Sequence, residues 1–228
     1  MSEQEYYFTV YARIRGYIKR LGVAFDDSIM QKELCELDDN DKARLIEFAR
    51  ANDIKLYPFK KSDRVLPRVG KVLGFLKSIY FESLLDVGSG RGAFLFPLLD
   101  AFTCINVASL DILDKRVQML SDVALGGVHN LSVRAESICD TPLPENSFDV
   151  VCMLEVLEHI PNVKDAIKNA IRVAKNYVVV TVPAKEDDNP EHIHLLSREV
   201  LTKYFNELGV NRLSFEQVQE HLFMIARI

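Results

Sequence analysis

The sequence of 228 residues contains no tryptophan and only four cysteines. Cys35, Cys104, Cys139 and Cys152 are scattered along the chain, and none of them belongs to a Cys-x-x-Cys pair. This spacing does not suggest a disulfide framework, which is typical of short secreted chains with many cysteines. We therefore expect reduced thiols and a cytoplasmic protein.

Long apolar runs are also missing. The longest, such as Val178 to Pro183, fall far short of the roughly 20 residues that a membrane helix needs. The chain does not open with a charged and then apolar leader. We expect no association with a membrane.

The sequence has no excess of basic residues. Its net charge of −5 gives no global positive field that would attract nucleic acid. One local basic stretch consists of Lys55, Lys60, Lys61, Arg64, Arg68 and Lys71. Runs of charge usually form a solvated helix face, so we do not expect a nucleic acid as partner.

The length and the apolar content of 48% suit one sizeable α/β domain with an extra subdomain. In the N-terminal part, apolar residues such as Tyr11, Ile14 and Ile18 recur at helical spacing. Beyond it, predicted strands alternate with predicted helices, which is typical of a parallel sheet with helices on both faces. We predict a helical lid that caps the substrate over residues 1–79, and a sheet domain over residues 80–228.

The predicted strands are Leu84 to Val87, Ile105 to Leu110, Leu131 to Ala135, Phe148 to Met153 and Tyr177 to Val182, and two helices between them are Lys115 to Leu125 and Val163 to Lys175. Two further extended runs, Arg212 to Gln217 and His221 to Arg227, leave no room for a crossover helix and must form a hairpin. The predicted fold is a Rossmann-like, doubly wound, seven-stranded α/β sheet that is mostly parallel and ends in a C-terminal β-hairpin.

A glycine-rich turn follows the first predicted strand, in the sequence Asp86-Val87-Gly88-Ser89-Gly90-Arg91-Gly92. Glycines at alternate positions let the backbone bend sharply and let a ligand approach it beside the positive end of a helix. Asp111 ends the second strand, where its carboxylate could accept hydrogen bonds from both hydroxyls of a ribose. We therefore expect a ligand that contains a nucleoside.

Together with Pro142 to Val151 and with Glu155-Val156-Leu157-Glu158-His159, these features resemble the class I S-adenosylmethionine-dependent methyltransferases. The resemblance covers roughly Leu84 to Ile228. It implies an enzyme that uses S-adenosylmethionine to methylate a small-molecule acceptor, with oxygen as the expected methylated atom. The cofactor-binding residues that it implies are Asp86, Gly88, Ser89, Gly90, Gly92, Asp111, Ile112, Ser137, Ile138, Leu154 and Glu155.

The resemblance assigns Asp86 and the glycine turn to the methionine end of the cofactor, Asp111 to the ribose and Ile112 to the adenine. The chain departs from the family pattern after the third strand, where Ser137 occupies the position of an acidic residue that contacts adenine. We expect adenine recognition there to depend on backbone groups and on Ile138.

Two alternatives remain open. The pattern Gly88-x-Gly90-x-x-Ala93 also fits the loose fingerprint of an NAD-type dinucleotide-binding enzyme, although Asp86 and the terminal hairpin argue against it. The domain could also be a non-catalytic, cofactor-binding or regulatory subunit whose N-terminal part docks a partner.

Carboxylates and imidazoles follow the fourth and fifth predicted strands. If residues 155–159 are helical, Glu155, Glu158 and His159 share one face, and His192 and His194 lie at the same edge of the sheet. The Glu-x-x-Glu-His arrangement resembles metal-assisted O-methyltransferases, which implies a divalent cation on Glu155, Glu158, His159 and His194. The same motif is common in family members without an inferred metal, so the sequence leaves the cation open. His159 and His194 are the candidate catalytic bases.

Overall fold

The computed structural model describes residues 5–62, 65–185 and 188–228, so Arg64 of the basic stretch lies outside the described residues. The strands are β1 (Ser83–Val87), β2 (Asn106–Asp111), β3 (Leu131–Ala135), β4 (Phe148–Leu154), β5 (Ala174–Pro183), β6 (Arg212–Val218) and β7 (His221–Arg227). The helices are α1 (Thr9–Leu21), α2 (Asp27–Gln31), α3 (Asp39–Ala51), α4 (Pro67–Leu76), α5 (Leu95–Ala101), α6 (Asp114–Leu125), α7 (Val163–Val173) and α8 (Arg198–Glu207). Over these residues, no helix is both long enough and apolar enough to cross a membrane.

The seven strands form one sheet in the order β3-β2-β1-β4-β5-β7-β6. β1 to β5 are parallel, whereas β7 runs antiparallel to both β5 and β6. The predicted Rossmann-like doubly wound fold with a C-terminal hairpin is therefore confirmed. The strand order reverses between β1 and β4, and ligands of such sheets bind beyond the carboxyl ends of the strands at this point.

The terminal hairpin turns through Gln219 and Glu220, because Val218 and His221 are the last paired residues. Gln219 has a φ of 54°, a left-handed conformation that suits a tight turn. The antiparallel pairing of β7 with β5 places His221 opposite Pro183, at the carboxyl end of β5. The first residue of β7 thus lies at the edge where the parallel strands end.

The predicted helix from Val163 to Lys175 extends too far. α7 ends at Val173, and Ala174 already pairs with Phe148 of β4. Apolar residues at helical spacing continue to Ala174 in the sequence, but the strand hydrogen bonds take this residue into the sheet. Periodicity could not reveal this competition, because the partner lies far away in the chain.

The N-terminal helices pack on one face of the sheet rather than forming a separate body. α1 lies against α6 at a close approach, since a Cβ atom on Gly16 would overlap the backbone of Asp122, and one on Gly126 the backbone of Ala12. The carboxylate of Asp122 is buried and accepts hydrogen bonds from Arg20 at 2.7 and 3.0 Å. Residues of α1, α3 and α4 share one buried apolar cluster with β1, α5 and α6.

Candidate functional site

Two cavities lie at the carboxyl edge of the sheet, around the point where the strand order reverses. The larger cavity, of about 290 Å³, is lined by Val87, Gly88, Leu110, Asp111, Ile112, Glu136, Ser137, Ile138, Cys139, Glu155, Val156, His159, Ile160 and Pro161. The smaller cavity, of about 150 Å³, is lined by Arg68, Val69, Asp86, Gly88, Ser89, Gly90, Arg91, Ala93, Phe94, Leu154 and Glu155. Apart from Gly92, every residue predicted to bind a cofactor lines one of the two.

The glycine turn joins these cavities. Gly88, Gly90 and Gly92 have φ values of 66°, 55° and 82°, a region that residues with a Cβ rarely adopt. A Cβ atom on Gly88 would lie 2.7 Å from the Val156 side chain, and one on Gly92 would overlap the Phe96 ring. A Cβ atom on Gly90 would make only an ordinary contact, 3.7 Å from the carbonyl oxygen of Gly88, and Gly90 lines the smaller cavity, so its backbone is accessible to a ligand. Gly92 therefore serves packing, whereas Gly88 and Gly90 face the cavities.

Asp111 connects the end of β2 to the glycine turn. Its Oδ2 accepts a hydrogen bond from the amide of Gly90 at 2.8 Å, and its Oδ1 accepts one from the amide of Leu113 at 2.9 Å. Each carboxylate oxygen has more than one lone pair, so both can still accept a hydrogen bond from a ligand. Beside them, the hydroxyls of Ser89 and Ser109 lie 2.7 Å apart in a hydrogen bond.

Asp86 is the buried acid of the smaller cavity. Its side chain is 2% exposed, and Oδ2 has no hydrogen-bond partner among the described residues. Burial, with a further contribution from the charge of Asp111, raises the pKa of Asp86 to about 7. Burial also raises the pKa of the Cys152 thiol, which pairs with Asp86 across β1 and β4. An ionised Asp86 in this position calls for a cationic ligand group.

Side chains at the far end of the larger cavity suit a flat apolar ring. Ile138 is buried against the protein, while Ile112 is 71% exposed at the cavity mouth. The hydroxyl of Ser137 accepts a hydrogen bond from the amide of Cys139 at 3.1 Å, within its own loop. Glu136 is engaged by Thr141 at 2.9 Å and by Arg134 at 3.2 Å.

Glu155 stands apart from the helical turn that was expected to include it. That segment is only a short 3-10 turn over Leu157–His159, and Glu155 precedes it with a φ of 58°. The expectation that Glu155, Glu158 and His159 share one helical face is therefore wrong. Instead, Oε1 of Glu155 accepts a hydrogen bond from the hydroxyl of Thr181 at 2.8 Å, and Oε2 lies 3.0 Å from Nε2 of His221.

The predicted metal ligands are not brought together as one set. Glu158, His159 and His192 form a cluster whose possible ligand atoms lie within 4.8 Å of one another. His192 takes the place expected for His194, whose Nε2 lies 3.3 Å from the carbonyl of Pro161. The backbone around residues 188–196 is irregular, so the sequence could not indicate which of the two imidazoles faces Glu158.

The cluster has one deeply buried member. Glu158 is 1% exposed, and Nδ1 of His159 lies 2.9 Å from the carbonyl of Glu191. If Nδ1 donates to this carbonyl, Nε2 of His159 is left as the acceptor or ligand atom.

The basic stretch before the sheet is divided between the surface and the site. Lys61 pairs with Asp100 at 3.2 Å and Lys71 with Glu216 at 2.6 Å. The expected helix face is wrong for Lys55, Lys60 and Lys61, which lie outside the helices, whereas Lys71 lies in α4. Arg68, by contrast, lines the smaller cavity with its Nε 3.9 Å from Oε1 of Glu155.

Sequence reasoning missed Arg68, Arg91 and His221 as residues of the site. Within residues 5–62 and 65–79, the residues that line either cavity are Arg68 and Val69. A lid function of residues 1–79 therefore rests, in this structure, on the beginning of α4. The one sequence signal for Arg91 was its position inside the glycine turn.

Comparison with known families gives a match over residues 85–180 to the family model described as methyltransferase domain. Among curated proteins, the chain is 32% identical over 117 residues to sterol 24-C-methyltransferase erg6 of Aspergillus fumigatus, covering 48% of this chain and 31% of that protein. It is 31% identical over 119 residues to ribosomal RNA small subunit methyltransferase G of Dehalococcoides mccartyi, covering 50% and 47%. It is 26% identical over 171 residues to 27-O-demethylrifamycin SV methyltransferase of Amycolatopsis mediterranei, covering 66% and 62%.

The aligned part of the chain thus spans only about a third to three fifths of these relatives. Among solved structures, an S-adenosylmethionine-dependent methyltransferase from Aquifex aeolicus is 23% identical with a TM-score of 0.57, covering 70% of this chain and 88% of that one. The (4+2)-cyclase SpnF is 16% identical with a TM-score of 0.55, covering 64% and 73%. Since a cyclase shares the fold, the fold alone does not decide the chemistry.

Proposed function

Because residues 85–180 match the family model described as methyltransferase domain, we propose that the chain binds S-adenosylmethionine and transfers the methyl group to a small-molecule acceptor. The observation that supports this most is the position of two carboxylates on either side of the glycine turn. Asp111 lines the larger cavity and Asp86 the smaller one. The carboxylate of Asp111 suits the hydroxyls of a sugar, and that of Asp86 suits a cation.

The lining of each cavity fits one part of the cofactor. Asp111 would accept the ribose hydroxyls, and Ile112 and Ile138 would contact the adenine in the larger cavity. In the smaller cavity, Asp86 would accept the α-ammonium, for which its unpartnered buried Oδ2 is available. The α-carboxylate would lie near Arg68, because α4 brings this cation to the cavity wall. Nicotinamide cofactors have no ammonium group that would use Asp86.

S-adenosylmethionine supplies a methyl group on a positively charged sulfur, so the protein has to align a nucleophile and take up its proton. We infer an oxygen acceptor, since His159 lines the larger cavity and can accept a proton there. His194 is the second candidate base, and exposed Ile193 and Leu195 flank it. An apolar molecule with a hydroxyl group suits the exposed apolar side chains beside His194 better than a nucleic acid does, because the cations Lys61, Arg68 and Lys71 already contact carboxylates.

We also propose a divalent cation on Glu158, His159 and His192; with the ion bound, His159 is a ligand and His194 is the base that remains. One carboxylate and two imidazoles suit manganese, zinc or iron. Such an ion would lower the pKa of an acceptor hydroxyl. Metal analysis of protein dialysed against each ion tests this, and a His192→Ala variant should lose the ion. Transfer that persists in chelator, with no ion retained, would contradict this part alone.

Methyl transfer is tested by incubating the full chain with methyl-labelled S-adenosylmethionine and a panel of phenols, apolar alcohols, amines and short RNAs. Label in a phenol or alcohol is the expected result, and label in RNA would contradict the proposed acceptor class. Cofactor binding without any transfer would instead favour a non-catalytic subunit. The cytoplasmic location and the lid function of residues 1–79 also remain predictions; cell fractionation tests the first.

A further inference from the structure

Glu155 lies where the two cavities meet. Among the described residues, Gly88 and Glu155 are the two that line both cavities. Gly88 contributes backbone only, so the carboxylate of Glu155 is the charged group at this junction. Its side chain is 21% exposed, which leaves it open to a ligand.

The conformation of Glu155 is an unusual one. Its φ of 58° lies in the left-handed region, which costs free energy for a residue with a side chain. The amide of Glu155 donates to the carbonyl of Thr181 at 2.9 Å, and the Thr181 hydroxyl donates back to Oε1 at 2.8 Å. These two bonds fix both the backbone and one carboxylate oxygen.

His221 holds the other oxygen. Its Nε2 lies 3.0 Å from Oε2 of Glu155, and its side chain is 23% exposed. The contact exists because β7 runs antiparallel beside β5 and starts opposite Pro183. A parallel strand would place its first residue at the opposite edge of the sheet, so the hairpin is what delivers an imidazole to this site.

The position of Glu155 has a chemical consequence that rests on the proposed function. If the adenosine occupies the larger cavity and the amino-acid part occupies the smaller one, the sulfur atom that links them lies at the junction, next to Glu155. The sulfonium of S-adenosylmethionine is positively charged, whereas the sulfur of S-adenosylhomocysteine is neutral. A carboxylate close to this atom attracts only the charged form.

We propose that Glu155 is a specificity-determining residue that selects the charged methyl donor over its neutral by-product, and that His221 is the positioning residue that holds it there. Arg68 lies 3.9 Å from Oε1 of Glu155 and also lines the smaller cavity. The α-carboxylate of the ligand would attract Arg68, which leaves Glu155 to the sulfonium. Glu155, held by His221, thus favours binding of the charged donor and release of the neutral by-product.

Calorimetric titration of the full chain with S-adenosylmethionine and with S-adenosylhomocysteine tests this, because the ratio of the two Kd values measures the preference for the donor over the by-product. Glu155→Gln keeps the shape and removes the charge. It should weaken S-adenosylmethionine binding about tenfold and leave S-adenosylhomocysteine within about twofold. His221→Ala should reduce the preference about threefold, and His221→Gln, which keeps a donor, should restore most of it.

His129→Ala provides the matched control, since His129 is a strongly exposed histidine that lines neither cavity. Equal weakening of both ligands in Glu155→Gln, or an unchanged preference in His221→Ala, would overturn the proposal while the proposed function stands. Failure of the unmodified chain to bind either ligand would instead overturn the proposed function itself.

Discussion

Oδ2 of Asp111 accepts a hydrogen bond from the amide of Gly90 at 2.8 Å, which ties the end of β2 to the turn that follows β1. The second carboxylate oxygen of Asp111 binds the amide of Leu113, just before α6. One side chain therefore orders both the glycine turn and the start of a helix. The residue expected to bind ribose is also what keeps the turn in its ligand-accepting shape.

Asp111→Ala should weaken binding of S-adenosylhomocysteine by roughly 10- to 100-fold, because hydrogen bonds to a carboxylate are worth about 1.5 to 3 kcal/mol. The loss combines the missing ribose contact with a looser turn. Titration calorimetry measures it. Asp114→Ala, three residues on at an exposed position of α6, should bind as the unmodified protein does. Equal binding by Asp111→Ala would show that the ribose lies elsewhere.

Asp86 should make cofactor binding dependent on pH. Its pKa is raised to about 7 in the free protein, and a bound ammonium favours the ionised form, so affinity should increase as the pH rises. The useful range is about pH 5.5 to 7.5, because an α-amino group itself titrates near pH 8. Below the pKa of Asp86, the gain should approach tenfold per pH unit.

Calorimetry in two buffers of different ionisation enthalpy should also detect a proton released on binding at pH 6. Asp86→Asn removes the titrating group, so it should bind weakly with no such pH dependence. An Asp86→Asn variant whose affinity follows the same pH curve as the unmodified protein would rule out this function of Asp86.

Arg68→Ala should weaken binding of S-adenosylhomocysteine about fivefold to tenfold, since a partly exposed ion pair contributes on the order of 1 kcal/mol. Lys71→Ala is the matched control, because Lys71 lies one helical turn further along α4 and pairs with Glu216 outside both cavities. If the two variants bind alike, α4 does not contribute to the site.

Gly16→Ala should destabilise the protein by about 1 to 3 kcal/mol, because the added methyl group overlaps the backbone of Asp122. The control is Gly74→Ala in α4, where a Cβ atom meets nothing within 4 Å. That change should stabilise the protein by up to about 1 kcal/mol. Urea unfolding measures both values. A neutral Gly16→Ala would indicate that α1 does not pack on α6 as described.

The parts of the site that depend on local sequence could be predicted. The strand, the glycine turn and the helix after it are consecutive, and Asp111 directly ends its strand, so periodicity and turn chemistry were sufficient. The positions of Arg68 and His221 depend instead on how α4 and β7 pack against distant strands. No spacing in the sequence encodes the 3.0 Å contact between His221 and Glu155.

The Glu155 to His159 segment shows a second reason why the site could not be predicted fully from the sequence. The spacing of its acids and imidazole suits a helix, but the left-handed backbone at Glu155 separates this carboxylate from Glu158. A positive φ at a residue other than glycine follows from tertiary hydrogen bonds, here to Thr181, and not from its own sequence. Tertiary structure, and not the local sequence, also decides that His192 rather than His194 lies beside Glu158.

The two cavities together form the proposed binding site for S-adenosylmethionine. Calorimetric titration of the full chain with S-adenosylhomocysteine, alongside NAD, tests it most directly. We expect one S-adenosylhomocysteine bound per chain with a Kd in the micromolar range or below, its loss in an Asp86→Asn and Asp111→Ala double variant, and no heat with NAD. No binding of S-adenosylhomocysteine at millimolar concentration, or binding of NAD in its place, would contradict it.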